Sequence, residues 1–505
     1  MRGSFFKYKP KGDSDKREFQ EQAPFSGDLG ADIALIKSIY SFPENKDFMV
    51  REFQVYSLKK QAALFYIPSL ADSKVIDEEI IKQLVTGEKA IKELPSLVSI
   101  SAVKEERMVK QAIDDLNVGD TLLLLEGEKS SYVMKTAMAA GRNVEKPQNE
   151  TTLLGPKEAF NEKADTNISL IRKKIHSKDF MVEKIIVGSR SHNEIYLVYN
   201  KELVGERLLK EVKQRIESIE KDAVQNLSLL VQYIEDRKSS LLPTILQTER
   251  PDRAASFIED GYITVLMDNS PFALILPATF WSFFHSADDH YFRFAYGNFT
   301  RFLRSIAIFI TLFVPSIYIA ITNYHVEMIP TDLLLAIAGA REKVPFPAIL
   351  ELLIMELSFE LIREAGIRVP SPIGPTIGIV GALILGQAAV EANIVSPIVV
   401  IVVALTGLSS FAIGDVNLNY AMRIARFIFL LASSLFGIFG MVGCFIMGLS
   451  YLSVTKSFGV PYFAPLTPNY RSSKDTIFRR TLKNEKFRPA YVKTGDITKE
   501  STENE

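Results

Sequence analysis

The chain has 505 residues, 59 Lys and Arg against 60 Asp and Glu, and a formal net charge of −1. Its mean hydropathy is +0.10 although 24% of its residues are charged, because Ser305 to Ser450 carry only 15 charged residues in 146 positions while the other 359 hold the remaining 104. That contrast excludes a single water-soluble domain, the balanced charge gives no basic face for nucleic acid, and the lone Cys444 excludes an intrachain disulfide or a cysteine zinc site.

Residues 1–30 read as a polar, disordered tail without the apolar core of a secretory signal, so insertion is expected to rely on later segments. Residues 31–142 alternate strand-like runs (Gln54–Tyr56, Ala63–Ile67, Thr121–Glu126, Ser131–Lys135) with helix-like stretches at Val75–Val85 and Ala102–Leu116, which predicts a small α/β unit. A polar stretch at Asn143–Thr152 reads as a linker. A second α/β unit over 153–240 has helices predicted at Lys157–Lys174 and Lys201–Asp222, flanking strands at Val182–Val187 and Glu194–Tyr199. Residues 241–301 form a connector with a strand at Tyr262–Met267 and an aromatic run, Phe280, Trp281, Phe283 and Phe284, of the kind that favours the membrane–water boundary.

Residues 302–450 make a helical membrane domain. Phe302–Ile321, Thr376–Ala392, Ile394–Ile413 and Phe427–Leu449 are each apolar and near the length that crosses a hydrocarbon core of roughly 30 Å. The basic tail, 451–505, and the Arg301/Arg304 pair both prefer the cytoplasmic side, so an even number of spans is expected. Ala348–Ile367 is apolar and helical in period yet carries Glu351, Glu356, Glu360 and Glu364. Counting it as a fifth span would put the tail outside, so it reads as a re-entrant or protein-covered helix, unless Met328–Ala340 supplies a sixth.

At 100° per residue Glu356, Glu360 and Glu364 form one acidic stripe with Arg363 beside it, and Glu351 points away. Charges at bilayer depth cost at least about 2.5 kcal/mol each, so such groups face protein or water. Around an axis the stripe would form a ring attractive to cations; within one chain it would make interhelical hydrogen bonds. Gln387 and Glu391 are a second polar pair at i, i+4, either lining a path or capping the hairpin at Asn393. Small residues recur every four positions at Gly374, Gly378, Ala382 and Gly386, and at Gly440, Cys444 and Gly448, a pattern for close helix approach. His285, Asp288, Asp289 and His290 match no specific metal spacing and read as a boundary segment. Gly127-Glu128-Lys129-Ser130 lacks the glycine of a phosphate loop, and neither a Gly-x-Ser-x-Gly elbow nor a His-Glu-x-x-His pair occurs, so no enzyme and no cofactor is expected.

The phrases GPKEAFNEKADTNISLIRK from Gly155, TERPD from Thr248, SPFALILPATF from Ser270, the run from Phe302, REKVPFPAILELLIMELSFELIREAGIRVPSPIGPTIGIVGALILGQAAVEANIVSPIVVIVV from Arg341 and FGVPYFAPLTP from Phe458 resemble the A subunits of GerA-type spore germination receptors. The resemblance covers about Gly155 to Pro468. It implies an α/β soluble N-terminal region of two small subdomains plus an α-helical transmembrane domain of four to six spans. It further implies a homo-oligomer in the spore inner membrane, with both termini on the core side, that conducts monovalent cations when a nutrient binds a transporter-like B subunit; a lipoprotein C subunit completes the receptor. A-like paralogues that amplify ion release, and a passive scaffold, are the alternatives. Family phrases cover Glu356, Glu360, Gly378, Gly381, Gly386, Gln387, Glu391 and Asn393, which become the pore or gate candidates.

Overall fold

The computed structural model describes residues 22–86, 98, 103–138, 146–150, 152–368, 374–472 and 475–499. Most of the expected disordered tail, residues 1–21, lies outside them, but its last part is ordered: Asp28 caps the first helix by accepting from the Gly30 N–H at 3.0 Å, and Phe25 is buried in the core.

The first unit runs α1 (Leu29–Ile39), β1 (Met49–Val55), β2 (Lys60–Tyr66), α2 (Ser73–Val75, a π-wound turn Ile76–Ile81, and Lys82–Thr86), β3 (Val103–Glu106), α3 (Val109–Val118), β4 (Thr121–Leu125) and β5 (Ser131–Met134). Its sheet has the order β1-β2-β4-β5-β3 with every neighbour antiparallel. Strand alternation sends Ala63, Phe65, Leu122 and Leu124 to a core under α1 and α3, and Leu64, Tyr66, Leu123 and Leu125 to a core under α2. Both faces are therefore covered, and β4 reads as an unbroken apolar run. The helix expected at Ala102–Leu116 is two elements: residues 103–106 pair with β5 as an edge strand, and the helix starts only at Val109.

The second unit runs α4 (Ala164–Arg172), β6 (Phe180–Val187), β7 (Asn193–Asn200), α5 (Glu206–Glu217), α6 (Leu227–Ile234), β8 (Leu246–Thr248), α7 (Pro251–Glu259), β9 (Ile263–Met267) and β10 (Ala273–Leu276). Its antiparallel sheet has the order β6-β7-β9-β10-β8, the same path as the first sheet, so the second unit repeats the first with α6 added. The helices expected at Lys157–Lys174 and Lys201–Asp222 are shorter than their sequence windows, because each window includes polar flanks that cannot pack on the sheet. The stretch expected as a linker is fastened instead: Gln148 N–H donates to Glu249 at 2.8 Å and Arg253 pairs with Glu150 at 2.8 Å. The units meet where Lys46 N–H donates to Val182 O at 2.8 Å and where the fully buried Arg172 guanidinium lies 4.0 Å from the Asp47 carboxylate.

Two short helices, α8 (Phe280–Phe284) and α9 (Asp288–Tyr291), lead to α10 (Phe294–Tyr324), α11 (Thr331–Arg341), α12 (Ala348–Arg368), α13 (Gly374–Glu391), α14 (Pro397–Ser410) and α15 (Val416–Val454). The aromatic run expected at the membrane boundary is instead interior: Trp281, Phe283 and Phe284 are buried, and Phe283 joins Tyr462 in the main core of the second unit. Among the described residues two helices, α10 and α15, are long and apolar enough to cross a membrane.

α15 is not one rod. Gly437 has φ 60° and ψ −142°, a conformation that side chains exclude and glycine accepts. The helix reverses there. Phe313 of α10 packs on Phe429 at 5.2 Å and on Phe445 at 5.5 Å between ring centroids, and both Leu418 and Leu452 reach the core of the second unit. In a straight helix those two leucines would stand about 50 Å apart at 1.5 Å per residue. The run expected as a single span, Phe427–Leu449, is thus a helical hairpin with its apex at Gly437, against Tyr324 and His325.

After Val454 the chain returns to the second unit rather than trailing as a free basic tail. Ser457 Oγ donates to Thr244 O at 2.6 Å, Tyr462 is fully buried, β11 (Lys456–Ser457) pairs with β12 (Val460–Pro461), and Gly495 N–H donates to Leu203 O at 3.1 Å. We call residues 455–499 the C-terminal strap.

Candidate functional site

The acidic helix α12 supplies the first cluster. Its carboxylates do not project as an open stripe. Arg426, itself buried on the first leg of α15, forms an ion pair with Glu356 at 2.8 Å and donates to Glu360 at 2.7 Å, and Arg423 pairs with Glu360 as well. Arg363 turns to α14, donating to Gly407 O at 3.0 Å and Ser410 Oγ at 2.8 Å. Glu364 pairs with Arg368 at the exposed end. Glu351, expected to point away, is fully buried, accepting from Ser396 N–H at 2.9 Å and pairing with Arg341 at 3.3 Å. A charged side chain in an apolar bundle persists only with a partner, and here α12 is held to its own chain at three levels. Sequence reasoning missed these partners because they lie more than sixty positions away on α15; the signal was the unexplained pair Arg423 and Arg426 one helical turn apart.

The second cluster is on α13 and the turn after it. Gln387 Nε2 donates to Glu391 Oε1 at 3.0 Å. Both are exposed on the face that also carries Leu383 and Ile384, while Gly386 and Ala389 on the opposite face are buried. A Cβ on Gly386 would stand 3.0 Å from Val400 and one on Gly381 3.5 Å from Ile362, so these glycines let α13 approach α14 and α12. Asn393 turns the chain with φ 54°, which Asn tolerates. Gly378 lies where side chains fall outside the described residues. The structure therefore brings Glu356 and Glu360 together at one site and Gln387, Glu391 and Asn393 at another. Gly440 packs at the α15 hairpin, facing Ala432, whereas Gly448 meets open space.

The seam between the soluble units and α10 is a third cluster, built from the His285–His290 segment and the strap. Asp288 accepts from Arg250 at 2.9 Å; Asp289 accepts from Arg301 at 3.1 Å and Arg304 at 2.9 Å; Asp475 of the strap pairs with Arg301 and lies 3.4 Å from His290. Burial pushes the His285 imidazole down to about 4, with Asp475 opposing. Burial works to raise Asp475 and Asp289, but the neighbouring His285 and arginines hold both below the ordinary carboxylate range. These side chains lock α10 to the second unit and to the strap.

Known proteins resemble this sequence. Residues 35–491 match the family described as Bacillus/Clostridium GerA spore germination protein. The chain is 38% identical over 489 residues to spore germination protein KA of Bacillus subtilis, covering 95% of this chain and 90% of that protein. It is 36% identical over 426 residues to the uncharacterized membrane protein YfkQ of Bacillus subtilis, covering 83% and 82%. Among solved structures, the N-terminal domain of the A subunit of the Bacillus megaterium spore germinant receptor GerK3 aligns with a TM-score of 0.39 and 23% identity, over 51% of this chain and 98% of that one.

Proposed function

The chain belongs to the GerA family of Bacillus/Clostridium spore germination proteins, and from that premise we propose that it is the A subunit of a germinant receptor, whose copies assemble in the spore inner membrane into a nutrient-gated channel for monovalent cations. The observation that carries this reading is the exposed Gln387–Glu391 pair. Facing lipid, a carboxylate there would cost at least about 2.5 kcal/mol even on the lenient scale. Facing a sister chain or a water-filled axis, it would be satisfied. The inward pairing of Glu356 and Glu360 with Arg423 and Arg426 leaves α13 as the better pore-lining candidate, with α12 as its support.

In this reading the chain crosses the bilayer six times: α10 outward, α12 inward, α13 outward, α14 inward, and the two legs of α15 outward and back. Both termini then lie on the core side. Ligand binding to a transporter-like B subunit, with a lipoprotein C subunit alongside, would favour one of two arrangements of α12–α13; the chain itself performs no catalysis. The test is potassium efflux from vesicles holding the chain and its partners. Efflux should change when Glu391→Leu or Gln387→Leu is introduced. Unchanged efflux in an assembled variant would remove α13 from the pore, and no efflux from any assembly would favour a scaffold.

A further inference from the structure

The aromatic run that sequence placed at the membrane boundary is interior, yet the outer surface around the first turns of α10 is apolar for another reason. Leu153 and Leu154 are 71% and 64% exposed at the head of the second unit, and Phe478 and Leu482 of the strap are 56% and 65% exposed. The two pairs come from distant parts of the sequence. All are positioned by polar anchors at the base of α10. Leu153 N–H donates to Asp288 at 3.0 Å, next to the Asp289 that pairs with Arg301 and Arg304. Gly155 sits so close to Tyr291 that an added Cβ would fall 2.7 Å from its ring. On the strap, Arg479 N–H donates to Asn298 at 2.8 Å and Arg479 Nη2 to Phe292 O at 2.7 Å. Asn298 lies one turn, about 6 Å along the axis, before Phe302.

Two loops from distant parts of the chain thus flank α10 at the level where its apolar run begins, and α10 itself adds exposed Phe294 and Phe299. Exposed cations close in sequence to these apolar residues are Lys157, Arg293, Arg480 and Lys483, and the nearby carboxylates Asp288, Asp289 and Asp475 are turned inward to arginines. Large apolar side chains accompanied by exposed cations, beside a helix long enough to span, fit the interface of a bilayer containing anionic lipid. We propose that Leu153–Leu154 and Phe478–Leu482 form a membrane-docking collar, inserting into the headgroup region beside α10 and seating the soluble units on the bilayer.

The inference rests on the reading of α10 as a membrane span. It is tested on the full chain with Cys444→Ala, reconstituted in vesicles of phosphatidylcholine and phosphatidylglycerol and labelled with an environment-sensitive fluorophore at Leu154→Cys or Phe478→Cys. Phe309→Cys, exposed midway along α10, and Tyr56→Cys, exposed on the first unit, are the controls. The expected result is that emission at 154 and 478 is lost to lipid brominated near the head group and protected from aqueous iodide, as Tyr56→Cys is not. Quenching by iodide at 154 and 478 overturns the collar. So does protection from both quenchers accompanied by cross-linking between copies, which would make the surface a subunit contact. If Phe309→Cys also escapes lipid brominated deep in its acyl chains, it is the span reading that has failed; if Phe309→Cys alone is quenched by lipid, only the collar has.

Discussion

The Arg426 cluster allows a quantitative test of what holds the membrane part together. Glu356 and Arg426 side chains are 1% and 2% exposed and 2.8 Å apart, and Arg426 also serves Glu360 at 2.7 Å. Arg426→Met leaves the Glu356 carboxylate buried without its partner, a change that costs about 3–5 kcal/mol in comparable buried pairs. Glu360 is cushioned, because Arg423 still pairs with it. Glu356→Gln is milder: it removes one charge but leaves Arg426 with Glu360, so about 1 kcal/mol is expected. The double variant should recover much of the loss, giving a coupling energy of about 2 kcal/mol. In thermal unfolding of the chain in detergent or nanodiscs, Arg426→Met should then lower the midpoint by on the order of 10 °C, Glu356→Gln by far less, and the double variant by an intermediate amount. If the two single effects simply add, or if Glu356→Gln is as damaging as Arg426→Met, the buried-pair argument is wrong.

Further outcomes follow from other sites. Gly437→Ala forces a Cβ to 3.0 Å from Tyr324 in a backbone region closed to side chains, and should cost about 2–3 kcal/mol, read as loss of folded protein from detergent extracts. Gly155→Ala would place a Cβ 2.6 Å from Arg250 Nη2; it should weaken the Arg250–Asp288 pair and raise hydrogen exchange in residues 152–156. His285 has a folded pKa of about 4 against about 6.5 unfolded, so the unfolded chain takes up the extra proton between those values. Its contribution is complete above pH 6.5 and falls by at most about 3 kcal/mol as pH drops to 4, measured as proteolytic release of the strap; His285→Gln should flatten that profile. Asp475 and Asp289, held low in the fold, contribute above the unfolded carboxylate range and lose that contribution only as pH falls below it.

What sequence revealed and what it hid divide along physical lines. β2, β4, β6 and β7 were legible because alternation or an unbroken β-rich run depends only on nearest neighbours. Edge strand β3 was not, since Val103-Lys104-Glu105-Glu106 has helix-forming composition and becomes a strand by pairing with Ser131–Met134. The α15 reversal was equally hidden: glycine is common in membrane helices, and only the backbone angle at Gly437 distinguishes a turn from a packing residue. Glu356 and Glu360 were found as charges out of place, but their burial against Arg423 and Arg426 is tertiary information. The exposed Gln387–Glu391 pair was found directly, because spacing alone puts both on one face.

The course of the chain through this region has a mechanical corollary. Because α15 doubles back at Gly437, α10 starts from, and both legs of α15 return to, the second soluble unit with its strap. Such a frame is clamped at its base and cannot telescope. The antiparallel pair α12–α13 is joined to that frame by the ion pairs of Arg423 and Arg426 and by a shared apolar core in which Leu352 and Met355 meet Ile319 of α10 and Leu430 of α15. A torque delivered to the soluble units would therefore reach that pair through the buried core and through Arg423 and Arg426 together.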